Sequence, residues 1–110
     1  METDVVVLGS GASALTAALA ANGHGSDVMV FEKADKIGGT SAWSGGMIWV
    51  PNNPHMIAAG IKDSREEALT YLQSLSHDLI RPELAESFVD HGPEMVSWLE
   101  ENTSVKFQLV

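Results

Sequence analysis

The stretch VVVLGSGASALTAALA, residues 5–20, decides how this chain is read. Val5 to Leu8 is an unbroken run of β-branched and aliphatic residues, the pattern of a strand buried on both faces of a parallel sheet. From Ala12 to Asn22 the residues are mostly Ala and Leu, which predicts a helix, stopped by Gly23 and a His24-Gly25-Ser26 loop. A second apolar run, Val28 to Phe31, ends at Glu32 and predicts another strand. Strand, helix and strand in this order and at this length make a βαβ unit. Gly9 and Gly11 sit at the first junction, where a chain accepts the conformational cost of glycine only if the backbone needs a geometry that other residues resist.

The sextet Gly9-Ser10-Gly11-Ala12-Ser13-Ala14 supplies the reason. Gly9 permits the tight turn out of the strand, and Gly11 leaves no Cβ where a pyrophosphate would approach the backbone. Ala14 stands at the third fingerprint position, where a small residue keeps helix and strand close. The N–H groups that open the helix, with the positive end of its dipole, then hold the anion. Glu32, about 20 residues on, is placed to accept hydrogen bonds from an adenosine ribose. This unit by itself fits NAD and FAD equally.

Residues 38–46, GGTSAWSGG, hold four glycines and three hydroxyl residues and predict a loop, and MIWVP after it reads as a short strand closed by Pro51. Ser64-Arg65-Glu66-Glu67 matches a capping box, and the spacing of Leu69, Leu72 and Leu75 predicts a helix over 65–76. Pro82 and Pro93 each suit the first turn of a further short helix. Val105 to Val110 reads as the start of a strand. Two parallel strands do not make a stable sheet, so the chain reads as the opening of something larger. The expected organisation is a βαβ dinucleotide-binding core with a second glycine loop over residues 1–53, and helices over 54–110 leading into an incomplete downstream region.

With 110 residues, 45% hydrophobic and 19% charged, the chain fits one small globular domain. Six Lys and Arg against fifteen Asp and Glu leave a net charge of −9, so the basic footprint of a nucleic-acid binder is missing and any anion must be held locally. Without cysteine there is no disulfide, no thiolate metal site and no thiol nucleophile, and redox chemistry would come from a cofactor. The N-terminus is acidic where a secretory leader is basic, and no window reaches the roughly 18 apolar residues of a membrane span. These features point to a soluble, cytoplasmic protein.

The second glycine region is where a family likeness appears. Through VVVLGSGASALTAALA, VFEK and GGTSAWSGGMIWVPNN, and more softly through SREEALTYL and PEMVSWLEE, the chain resembles the FAD-binding segment of the succinate dehydrogenase and fumarate reductase flavoproteins. Within them it is most similar to the 3-ketosteroid Δ1-dehydrogenases. The resemblance implies an α/β fold, the N-terminal part of a Rossmann-like FAD-binding domain of the glutathione reductase type. It implies that Gly9, Ser10, Gly11, Ala12, Ser13 and Ala14 cradle the FAD pyrophosphate, that Glu32 binds the adenosine ribose and that Lys33 lies beside the adenosine. Gly38, Gly39, Thr40 and Ser41 would contact the phosphates and ribityl chain, with Ser44, Gly45, Gly46 and Met47 along the isoalloxazine. Gly39 stands where succinate dehydrogenases carry the histidine that attaches FAD, so the FAD is expected to be noncovalent. For the steroid enzymes the implied reaction is a 1,2-desaturation of a 3-ketosteroid with hydride transfer to flavin N5, its catalytic tyrosines lying downstream. The alternatives are a fumarate reductase-like enzyme for small dicarboxylates and a truncated, non-catalytic fragment.

Other residues are assigned to structure. Tyr71, Trp49 and Trp98 read as packing residues, and Trp43 is divided between packing and ligand stacking. His24 and His55 read as loop residues, Asp90-His91 as a polar helix end, and Glu66-Glu67 and Glu100-Glu101 as solvated faces. No His, Asp and Glu spacing suggests a metal. Arg65 and Arg81 are the only arginines. They lie in predicted helical segments away from the glycine loops, which disfavours a dicarboxylate substrate.

Overall fold

The computed structural model describes residues 2–77 and 79–110, and the chain divides into two compact units, Met1–Ile48 and Trp49–Val110. In the first unit, strand β1 (Val5–Leu8) leads through the glycine turn into helix α1 (Ala12–Gly23), and strand β2 (Val28–Phe31) follows. The strands pair in parallel, Val5 opposite Val28 and Leu8 opposite Phe31. Hydrogen bonds pin both ends of the pairing: the Asp4 side chain accepts through Oδ2 from the Asp27 N–H at 2.8 Å, and the Gly9 backbone N–H donates to the Phe31 carbonyl at 2.7 Å. Helix α1 packs on both strands. Val5 and Val7 are accordingly half-buried, whereas Val6 is exposed and Leu8 is 79% exposed. The expectation of a strand covered on both faces is therefore corrected within this span, because α1 is the helix that packs on the pair and it covers one face. A short 3-10 turn, Gly39–Trp43, interrupts the loop that follows.

The second unit is helical: α2 (Pro54–Ala58), α3 (Arg65–Ser76) and α4 (Pro82–Asn102). Asn53 caps α2, its Oδ1 accepting from the N–H groups of His55 and Met56 at 3.1 Å each. Ser64 caps α3 through an N–H···O bond from Glu67 at 3.1 Å. The reciprocal half of the capping box differs from the expected form: the Ser64 hydroxyl donates to the Glu67 carboxylate, and the Ser64 N–H turns to Asp63 Oδ1. Among the described residues of this unit, Val50, Pro51, Ala68, Ala85, Val89, Gly92, Val96 and Leu99 are buried.

Three further sequence expectations fail, each for a physical reason. Pro93 does not open a new helix but lies inside α4, which runs without a break from Pro82 to Asn102. The preceding residue is Gly92, which has no Cβ to collide with the proline ring, and the buried series Val89, Gly92, Val96, Leu99 rewards one continuous helical face. Residues 47–51 form no strand among the described residues, because Val50 and Pro51 are buried in the helical unit instead of joining a sheet edge. A Cβ at Gly92 would lie 2.9 Å from Val50 Cγ1, so Val50 sits directly over that glycine. Residues 105–110 likewise form no strand, and the Phe107 N–H donates to Glu100 Oε1 at 2.8 Å.

Several single-residue expectations are also corrected. His55 is helical, and its Nε2 lies 3.1 Å from the Glu100 carboxylate, so neither is a plain loop or solvated residue. Asp90 and His91 lie within α4, with Asp90 paired to Arg65 at 2.6 and 3.0 Å. Trp49 packs as the centre of a three-ring aromatic cluster, its ring centroid 5.2 Å from Tyr71 and 5.9 Å from Phe88, yet it stays 47% exposed where burial was expected. Tyr71 packs as expected, on Trp49.

Candidate nucleotide site

Gly9 adopts φ +96°, a region closed to most L-residues, and a Cβ built on it would meet nothing within 4 Å. The turn thus leaves open space above the backbone that leads into α1. Gly11 is the N-cap of α1 and offers no side-chain oxygen to the first turn. The acceptor comes from the second glycine loop: Ser41 Oγ takes the Ala12 N–H at 3.0 Å. The loop lies on the turn so closely that a Cβ at Gly39 would be 3.7 Å from Gly11 Cα.

Ser10 binds these pieces together. It is 2% exposed, the one buried polar residue among those described. Its Oγ accepts from the Gly38 N–H at 2.9 Å and donates to Glu32 Oε2. The other carboxylate oxygen, Oε1, accepts from the Ala34 N–H at 2.9 Å. These donors, Ala34 first and then Ser10, hold the Glu32 carboxyl below its ordinary value, so it stays an anion and an acceptor. Each oxygen has given up one acceptor position and retains capacity for more.

Ser10, Gly11, Ala12, Glu32, Gly38, Gly39 and Ser41 are therefore brought together by direct contact. Ser44 joins Ser41 by donating to its carbonyl at 2.9 Å, and the Gly46 N–H donates to Ser44 Oγ at 3.1 Å. That last bond is local, so the Gly46 amide is engaged within its own turn. Ser13, Lys33, Thr40, Gly45 and Met47 are exposed, Ala14 is half-buried, and Trp43 stands 91% exposed. Sequence reasoning named Ser10 as one more phosphate contact and missed its bond to Glu32, since nothing in the spacing of residues 10, 32 and 38 forecasts one hydroxyl between them. It missed the Ala34 amide as well.

The donor set fits a dinucleotide. Exposed glycine backbone and a helix start suit a diphosphate, and an anchored carboxylate suits the hydroxyls of a ribose, in a chain whose own net charge would repel an anion. No described helix is long and apolar enough to cross a membrane.

Comparison with known proteins agrees with this geometry. The chain is 43% identical over 105 residues to the 3-oxosteroid 1-dehydrogenase of Mycobacterium tuberculosis, covering 96% of this chain and 19% of that protein. It is 48% identical over 104 residues to the 4-oxocyclohexanecarboxylate 2-dehydrogenase of Sinomonas cyclohexanicum, covering 94% and 18%. Among solved structures it is similar to 3-ketosteroid delta1-dehydrogenase from Sterolibacterium denitrificans in complex with 1,4-androstadiene-3,17-dione, with TM-score 0.82 and 46% identity over 91% of this chain and 17% of that one. The chain thus spans a small part of the length of the relatives it matches. The sequence pattern of the FAD binding domain family matches residues 4–109, taking in every residue of the glycine site, and the chain belongs to that family.

Proposed function

We propose that the protein carrying this chain is an FAD-dependent dehydrogenase that desaturates a ring ketone of the 3-ketosteroid type, with this segment holding the FAD noncovalently. The single observation that carries the reading is the pairing of the two glycine regions, Gly39 on Gly11 and Ser41 on Ala12, beside an anchored Glu32. Gly9 to Ala14 would cradle the diphosphate, with the Gly9 and Ala12 N–H groups given to the Phe31 carbonyl and Ser41 Oγ and the contact left to the other amides of the turn and the first helical turn. Glu32 would accept from the adenosine ribose with Lys33 alongside. Gly38, Gly39, Thr40 and Ser41 would follow the phosphates and ribityl chain, and Ser44 to Met47 would line the isoalloxazine. When bound, FAD supplies the hydride acceptor for the desaturation. Gly39, having no side chain, offers no atom for a covalent flavin link. The groups that take the substrate proton would lie in the rest of the protein.

The relatives named above act, by their names, on ring ketones, which supports a small-molecule ketone as the substrate class. The arginines add to this. Both arginines lie in the helical unit, where Arg65 is paired with Asp90 at 2.6 Å and Arg81 makes an exposed contact with Glu83 at 3.3 Å. A dicarboxylate substrate needs free guanidinium groups at the flavin. The test is purification of the protein with added FAD. A yellow protein that releases all its flavin on acid precipitation and reduces an artificial acceptor with a 3-ketosteroid, and not with succinate, is the expected result. A colourless protein that takes up no FAD would overturn the flavin site, and turnover of succinate alone would overturn the substrate class.

A further inference from the structure

We infer that Ser10 is a positioning residue whose buried hydroxyl aims the Glu32 carboxylate at the ribose and ties it to the second glycine loop, an inference that rests on the FAD reading above. The direction of its bonds is forced. The Gly38 N–H can only donate, so it occupies a lone pair of Ser10 Oγ. The single hydroxyl proton is then left for Glu32 Oε2, which it reaches. Gly38 is itself at φ +112°, and a Cβ there would lie 2.7 Å from Ala42 Cβ, so the backbone that brings its N–H to Ser10 is one that only glycine accepts here.

The chain Gly38 N–H, Ser10 O–H, Glu32 carboxylate is polarised in one direction, each bond strengthening the next. It couples three stretches that are distant in sequence: the turn after β1, the end of β2 and the loop before the 3-10 turn. Because Ala34 holds Oε1 and Ser10 holds Oε2, each carboxylate oxygen is tied to a different part of the backbone. Ser10 thereby acts on a ligand it need not touch: its removal frees one carboxylate oxygen and leaves the Gly38 amide without its acceptor.

The experiment uses the purified protein with two probes, FAD and an FAD analogue lacking both hydroxyls of the adenosine ribose, titrated by flavin fluorescence. The unmutated protein is expected to prefer FAD. Ser10→Ala should weaken FAD roughly tenfold, the size expected when a hydrogen bond to a charged group is lost, and should compress the preference by a similar factor. In the Glu32→Gln background the same change should add little to the loss of ribose preference. Ser10→Cys, which keeps a side chain of the same connectivity with a larger atom and a weaker donor, should show the same selective loss and keeps the test informative if the alanine variant does not fold. Equal weakening of both probes, full additivity with Glu32→Gln, or no effect would overturn the role of Ser10 while leaving the flavin site intact. A protein that binds FAD and the analogue equally before mutation would overturn it too. If the unmutated protein binds neither probe, the flavin reading itself falls, and this inference with it.

Discussion

Between residues 2 and 48 the chain buries little besides Ser10 and Ala18, whereas between 49 and 110 it buries Val50, Pro51, Ala68, Ala85, Val89, Gly92, Val96 and Leu99. The first unit is held by its parallel strand pair and by hydrogen bonds that run between turns, the second by side chains packed along helix faces. The difference separates two tasks. A nucleotide site needs backbone amides and lone pairs left facing open space, which a close-packed core forbids, and the helical unit carries the packing that the glycine unit gives up.

The sharpest way to break this contrast is to truncate one leucine in each unit. Leu99→Ala, at 7% exposure in α4, should destabilise the helical unit by about 2–5 kcal/mol, and Leu8→Ala, at 79% exposure in β1, by less than about 0.5 kcal/mol. Denaturant unfolding combined with hydrogen exchange over each unit would measure both. Comparable losses would mean that the exposed strand face is packed in the folded protein. Next in size is Gly38→Ala, which must accommodate both φ +112° and a 2.7 Å approach to Ala42 Cβ. A loss of about 1–3 kcal/mol, read as faster exchange around residues 38–44 with α4 unaffected, is expected.

Removing a helix cap should act only on the helical side. Ser64→Ala deprives the Glu67 N–H of its acceptor and should lower stability by about 1 kcal/mol, leaving FAD affinity unchanged. The smallest effect concerns pH. Asp90 is held below its ordinary value by Arg65, and Glu100 by the Phe107 N–H and then His55. A depressed carboxylate contributes stability that is complete above its unfolded value and is lost as the pH falls through the lower folded value. The helical unit should therefore weaken as the pH drops below about 4, and Asp90→Asn should flatten part of that slope. A slope unchanged by Asp90→Asn would show that this exposed pair contributes nothing measurable, as many surface pairs do.

The two strands and α1 were legible from the chain because each is a local pattern: an apolar run, an Ala-rich helix, glycine at the break. Helix α3 was legible down to its N-cap for the same reason. Pro93 misled because a proline signals a boundary through its own local sterics, and Gly92 before it and the buried face of α4 outweigh that signal. Val50 and Phe107 misled in the other direction, since apolar runs state that a segment seeks cover and leave open whether a strand edge or a helix supplies it.

At the site the division is the same. Residues 9–14 and Glu32 could be named from the sequence because the geometry a diphosphate demands is written in which positions lack a Cβ, and the second glycine region through its family resemblance. Only the folded arrangement placed Ser41 on the Ala12 amide and Ser10 between Gly38 and Glu32. Periodicity describes neighbours along an element, but a hydrogen bond between residues 22 or 28 positions apart depends on how turns meet in space, and no local propensity encodes that meeting.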